Sequence, residues 1–242
     1  MVLAAIVWLT TPVAAAAEIH VGVATNFADT ARTVAAAWTR STGHRVVFSI
    51  GSTGQLFAQI RQGAPLDVFL SADEASARRA EDEGLAVPGS RFTYAIGRLV
   101  VFSVERGRVR DAETLRSGQF ERLALASPSA APYGAAAMDV IRRLGLEERL
   151  RRKIVFGQSI AQTYQFVRTG NADLGFVALS QVVGHAEGSR WLVPENLHSA
   201  IRQDAVLLRR ADNDTAARDF LVFLRGPEGR RIVETFGYGR DP

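Results

Sequence analysis

The sequence predicts an α/β protein of two lobes, each a mostly parallel sheet flanked by helices. Three observations carry that expectation. Short β-branched runs alternate with stretches whose apolar residues recur at helical spacing, as parallel strands joined by crossover helices do. The alternation runs through one series over residues 19–83 and a second that begins at residue 99. No Pro/Gly/Ser-rich tether separates the two series, so strands that cross between lobes are expected to join them.

Taken in order, residues 1–17 read as a secretory signal. Met1 to Leu9 are apolar, and Ala14 to Ala17 supply small residues before the first charge at Glu18. No basic residue precedes the apolar core. Residues 19–24 read as the first strand. Residues 27–41 read as a helix through Phe27, Ala31, Val34, Ala35 and Trp38, with Gly43 free to close it in the left-handed conformation. Residues 46–50 follow as strand, 53–62 as helix, 66–70 as strand and 73–83 as helix. In the second series 99–103, 123–126, 154–156 and 174–178 read as strands, with helices at 135–144 and 162–168. A strand at 204–208 and helices at 215–224 and 227–236 complete the chain.

Composition narrows the chemistry. Of 242 residues none is cysteine, which excludes disulfides, thiolate catalysis, Cys-ligated zinc and a lipid-anchored cysteine. The net charge of +4 is almost wholly arginine, Lys153 being the only lysine. Arginine pairs such as Arg78-Arg79, Arg142-Arg143 and Arg230-Arg231 are scattered rather than gathered with aromatics, so no nucleic-acid partner is expected. The four histidines show no metal-binding spacing, and no cofactor site is expected.

Two strand-to-helix junctions stand out, Ala24-Thr25-Asn26-Phe27 and Gly51-Ser52-Thr53-Gly54. Both are rich in hydroxyl and amide groups and contain no Lys, Arg or His. A helix that starts at such a turn presents unpaired N–H groups and a partial positive charge of roughly half an elementary unit. Each Ser or Thr alone would be read as an ordinary helix cap. Two at successive parallel strand ends point to an anion held by neutral donors. A rival is an enzyme: Gly157-Gln158-Ser159-Ile160-Ala161 nearly matches a serine nucleophile turn, with His185 or His198 and Asp173 or Asp204 downstream. Ala161 replaces the second glycine of that motif.

Four segments together carry a resemblance. They are Ser52-Thr53-Gly54, the run from Gly63 to Asp73, Pro128 to Gly134, and Gly170 to Ser180. In this order, over nearly the whole chain after the leader, the sequence resembles the periplasmic molybdate-binding proteins of ABC uptake systems. The resemblance implies a type II periplasmic binding fold that closes over one tetrahedral oxyanion. It implies a first lobe of residues 18–96 completed by the C-terminal return at 202–242, and a second lobe of 97–201. It implies molybdate, and tungstate with it, held by Thr25, Asn26 and Ser52 from the first lobe and by backbone N–H groups of Tyr133 and Ile160 from the second. Some relatives add a tyrosine hydroxyl where this chain has Ala178. The resemblance further implies a monomeric periplasmic receptor that performs no chemistry, holds molybdenum only as its oxyanion, and serves an inner-membrane ABC transporter permease.

Physical chemistry agrees with the donor set. Molybdate carries no proton at neutral pH, so its oxygens only accept hydrogen bonds and a site for it needs donors without carboxylates. Sulfate shares that requirement. Phosphate gains from an acceptor, and the nearest candidate, Asp29, lies about one helical turn inside its helix. Sulfate and phosphate remain the alternative ligands.

Overall fold

In a computed structural model, residues 16–184 and 186–240 are described. Most of the predicted leader and His185 lie outside them. Ala17, the last residue of that leader, accepts a hydrogen bond from Arg45 N–H at 2.8 Å.

The chain forms two five-stranded sheets, one per lobe. The first contains β1 (Glu18–Ala24), β2 (Arg45–Gly51), β3 (Val68–Leu70) and β4 (Phe92–Gly97). The second contains β5 (Leu99–Ser103), β6 (Leu123–Ala126), β7 (Ile154–Gly157), β8 (Leu174–Ala178) and β9 (Ser189–Leu192). The chain then returns to the first sheet as β10 (Ile201–Leu207). The strand orders are β2-β1-β3-β10-β4 and β7-β6-β8-β5-β9. Each sheet is parallel apart from one strand: β10 runs antiparallel to β3 and β4, and β5 to β8 and β9.

Register brings the functional ends together. β1 and β2 pair in parallel from Glu18↔Arg45 to Ala24↔Gly51, so both junctions rich in neutral donors leave the sheet side by side. In the second sheet Ala126↔Gly157 ends the β6–β7 ladder in the same way. Ligands of open parallel sheets bind at such carboxyl ends.

Helices cover both faces of each sheet. α1 (Ala28–Thr42), α8 (Thr215–Arg225) and α9 (Pro227–Thr235) enclose one core of the first sheet, where Trp38 meets Phe220 edge-on at 5.3 Å and donates Nε1–H to Asp219 at 2.8 Å. α2 (Thr53–Arg61) and α3 (Glu74–Asp82) bury Leu56, Phe57, Ile60, Ala77 and Ala80 against the other face. In the second lobe α4 (Glu113–Ser117), α5 (Pro132–Arg143) and α6 (Glu147–Leu150) lie over one core, and α7 (Ile160–Arg168) over the other. Gly43 takes φ 78° and caps α1 by donating to Thr39 O.

Several boundaries differ from the sequence expectation for identifiable reasons. β4 and β9 were not foreseen: both are edge strands with partly exposed, mixed-polarity sequences that lack clean alternation. β10 starts at Ile201 rather than 204, because Gln203 and Asp204 are buried polar residues inside a strand. Asp204 is held there by Arg91 at 2.6 Å and Thr93 Oγ1 at 2.8 Å. α5 begins at Pro132 rather than 135, since proline suits the first position of a helix, and α7 begins at Ile160 rather than 162.

Candidate functional site

The earlier starts of α5 and α7 change what Tyr133 and Ile160 are. Both lie in the first turn of a helix, where N–H groups have no partner within the helix. In α5, Pro132 has no N–H and Ala131 offers no side-chain cap, so Tyr133 carries the first unpaired N–H. In α7 the Ser159 hydroxyl caps Gln162 N–H at 3.2 Å and leaves Ile160 N–H without a partner.

In the first lobe, Thr25 and Asn26 form a 3-10 turn between β1 and α1. Ser52 caps α2: its Oγ accepts Gln55 N–H at 3.4 Å while Gln55 Oε1 accepts Ser52 N–H at 3.1 Å. This reciprocal box occupies the Ser52 N–H and leaves the hydroxyl hydrogen to donate. Asp29 is exposed and paired with Arg32 at 2.6 Å. The 3-10 turn and the first turns of α2, α5, α7 and α8 contain no carboxylate, whereas those of α1, α3, α4, α6 and α9 do. Acidic residues normally favour that position, so leaving it empty preserves the positive end of the dipole for something else.

The two lobes touch at this site. Gly54 N–H donates to Ala130 O at 3.2 Å, joining the start of α2 to the loop before α5. Ser180 Oγ, in the 3-10 turn Leu179–Gln181 after β8, donates to Asn26 O at 2.9 Å. Tyr238 Oη donates to the same carbonyl at 2.7 Å and lies 3.0 Å from Ser180 Oγ. Asn26 Nδ2 donates to Gln203 Oε1 at 2.9 Å and to Tyr238 Oη at 3.1 Å. Both amide hydrogens are therefore committed within the protein, which leaves the backbone N–H as the donor Asn26 has free. Gln203 Nε2 donates to Tyr133 Oη at 3.2 Å. Burial pushes the hydroxyls of Tyr94 and Tyr133 well above the ordinary tyrosine range, and that of Tyr238 upward too, so all three stay protonated.

Thr25 and Asn26 line a cleft of ≈ 370 Å³ between the lobes, together with Ile50, Tyr164, Arg168 and the Asp29–Arg32 ion pair. Ser52, Tyr133 and Ile160 are buried and do not line that cleft. Their link to the turn at Thr25 runs through the contacts just described and through α7, whose residues pack against the 3-10 turn. Gln181 orients the start of α7, taking Ala178 N–H at 3.0 Å on its Oε1 and donating Nε2–H to Ile160 O at 3.2 Å.

Gln203, Tyr238, Ser180 and Gln181 were missed as site residues. Gln203 had a weak signal, a neutral polar side chain just before the strand read at 204–208; the others acquire their place only through folding. The serine-nucleophile reading fares differently. Ser159 is a helix cap, His198 Nδ1 pairs with Ser199 O at 2.7 Å, Asp204 pairs with Arg91, and Asp173 Oδ2 accepts backbone N–H groups of Glu121 and Arg122. None of these bonds brings an acid or imidazole to Ser159. Among the described residues no cluster of His, Asp or Glu could hold a metal ion.

Residues 19–239 match the family described as bacterial extracellular solute-binding protein. The chain is 48% identical over 225 residues to the molybdate-binding protein ModA of Rhodobacter capsulatus, covering 93% of this chain and 89% of that one. It belongs to the ModA family of molybdate-binding proteins. The ModA of Azotobacter vinelandii is 46% identical over 230 residues, with 93% of this chain and 91% of that one covered. The solved periplasmic molybdate-binding protein of Azotobacter vinelandii superimposes with a TM-score of 0.90 at 39% identity, covering 93% of this chain and all of that one. The sulfate-binding protein SubI of Mycobacterium tuberculosis, at 15% identity and a TM-score of 0.74, shares the fold. Family membership accounts for the pairing of the two sheets, and the ModA relatives match along both lobes rather than one.

Proposed function

We propose that this protein is a periplasmic receptor that captures molybdate, and tungstate with it, between its lobes and delivers the anion to an inner-membrane ABC transporter permease. The observation that carries the reading is the convergence of three carboxylate-free helix starts, those of α2, α5 and α7, with the 3-10 turn at Thr25 where the lobes touch. Thr25 and Ser52 donate hydroxyl hydrogens, and Asn26, Tyr133 and Ile160 donate backbone N–H groups. Neutral donors and helix dipoles suit a proton-free dianion and avoid leaving a permanent charge buried when the cleft empties. No bond of the ligand is made or broken. The receptor acts as a monomer whose lobes are residues 18–96 with 202–242, and residues 97–201. Among the described residues no helix is long and apolar enough to cross a membrane, which agrees with a receptor that meets its transporter from outside the bilayer.

Sulfate presents the same acceptors on a smaller frame, so discrimination falls to cavity size, with donors set too far apart for short bonds to the smaller ion. Calorimetric titration with molybdate, tungstate, sulfate and phosphate tests the reading. Tight one-to-one binding of the first two alone supports it. Preference for sulfate or phosphate overturns the ligand while keeping the architecture, and absence of binding to all four overturns the function.

A further inference from the structure

We propose that Tyr133 couples capture of the anion to closure of the lobes, with Gln203 as its positioning partner. The inference rests on the reading above, in which Tyr133 N–H meets the ligand, and adds a role for its side chain. That side chain is 1% exposed and reaches out of its own lobe. Its hydroxyl accepts from Gln203 Nε2 at 3.2 Å, and Gln203, fully buried on β10, belongs to the sheet of the other lobe.

The place of this bond gives it leverage. The described chain passes between sheets twice, from β4 to β5 and from β9 to β10. Gly97 is the last residue of β4 before the first passage. A Cβ on Gly97 would stand 2.4 Å from Tyr133 Oη and 2.8 Å from Gln203 Nε2. Gly97 is not among the glycines with positive φ, so glycine is required there for space. The tyrosine hydroxyl thus occupies a gap between both connecting strands. Rotation of one lobe about those connections moves α5 relative to β10 and stretches the Tyr133–Gln203 bond. Buried polar groups that part must find water or remain unpaired, which costs free energy. An anion on the N–H of Tyr133 fixes the start of α5 where the hydroxyl meets Gln203, and the bond in turn holds the N–H on the anion.

Tyr94 and Asn26 steady Gln203 from the first lobe. Its Oε1 lies 3.1 Å from Tyr94 Oη and 2.9 Å from Asn26 Nδ2, which leaves Nε2 aimed at Tyr133. The arrangement links the two ligand turns, Asn26 and Tyr133, through a single amide.

The chain has no cysteine, so Val47→Cys and Phe156→Cys can carry a pair of spin labels without interference. These residues are 37% and 52% exposed and lie on the outer edge strands of the two sheets, away from the connections. Distances are measured with and without molybdate in the labelled parent, in Tyr133→Phe and in Gly97→Ala, alongside dissociation rates and thermal midpoints. Tyr133→Phe keeps the ring and the N–H. It is expected to shift the ligand-free distribution to longer distances and to raise the molybdate dissociation rate about 10-fold, the loss of one buried bond. Gly97→Ala is expected to shift it further, and to do so less when combined with Tyr133→Phe. Unchanged distances and dissociation in Tyr133→Phe, or strict additivity of the two substitutions, overturn the proposal. A labelled parent that binds no anion refutes the functional reading instead, and the ligand-free distances of Tyr133→Phe against the parent then decide whether the Tyr133–Gln203 bond holds the lobes together.

Discussion

The two lobes repeat one plan and then diverge at the residues that matter. In both sheets an outer strand ends in glycine, Gly51 in β2 and Gly157 in β7, and a serine caps the helix that follows. Both caps use a glutamine at the third helical position. Gln55 reaches back to the N–H of Ser52 itself, at 3.1 Å, whereas Gln162 reaches Gln158 N–H at 2.6 Å. One extra residue, Gln158, between glycine and serine causes the shift. Both cap hydroxyls keep a hydrogen to donate; the difference is that Gln55 occupies the Ser52 N–H, whereas Gln162 takes the N–H of Gln158 and not that of Ser159. Helices α1 and α5 differ likewise: Thr25 brings a hydroxyl before α1, while Pro132 at the start of α5 makes Tyr133 N–H the first donor. On the proposed donor set the first lobe offers two hydroxyls that a substitution can delete, Thr25 and Ser52, beside the Asn26 N–H, whereas the second offers main chain alone.

The sharpest way to break the comparison is to move the main chain. A Cβ on Gly134 would sit 2.1 Å from Ala126 O, so Gly134→Ala must push the first turn of α5 off the end of β6. It is expected to lower stability by about 3 kcal/mol and affinity by roughly 100-fold, read from urea unfolding and calorimetry. In the first lobe Gly54→Ala meets Ala130 only at 3.4 Å, an ordinary contact, and is expected to cost far less.

Next in size, Ser52→Ala should weaken molybdate binding by about 1.5–3 kcal/mol through loss of a bond to a charged acceptor. Unchanged affinity in calorimetry would remove Ser52 from the site. Its counterpart Ser159→Ala should cost about 1 kcal/mol of stability as a lost cap, with affinity changed by less than about 3-fold. Equal losses of affinity in the two variants would show that the lobes bind alike and that the glutamine shift is irrelevant.

The smallest effect concerns a feature the lobes share. Asp67 and Asp173 stand just before β3 and β8 and each accepts a backbone N–H from the neighbouring strand region, Asp67 from His20 at 2.7 Å and Asp173 from Glu121 and Arg122 at 2.9 and 2.8 Å. Burial raises the carboxyl of Asp173, but the bonds from Arg122 and Glu121 together outweigh it and hold the group below its ordinary value. A carboxylate so depressed adds stability above its unfolded pKa of about 4, and the increment is lost as pH falls through the folded value. Asp173→Asn should flatten that part of the profile, measured as urea midpoints from about pH 5 to pH 3. An unaltered slope would mean that the clamp is already open in the acid range.

The alternation of strands and helices, the two neutral junctions and the order of the resembling segments are legible along the chain. These are local facts, set by periodicity, by caps such as Gly43 and by residue chemistry at Thr25, Asn26 and Ser52. Strand β8 was legible to the residue because its five members are all buried. The edge strands β4 and β9 are not, because neither sequence alternates apolar with polar residues as a half-buried strand would. Folding is what brings Ala24 and Gly51 into register, starts α5 and α7 early enough to free Tyr133 and Ile160 N–H, and gathers Gln203, Tyr238 and Ser180 around Asn26. Those partners lie between 154 and 212 residues from Asn26 in the chain. No local signal spans such distances; the contacts exist because two connecting strands bring two separately legible lobes face to face.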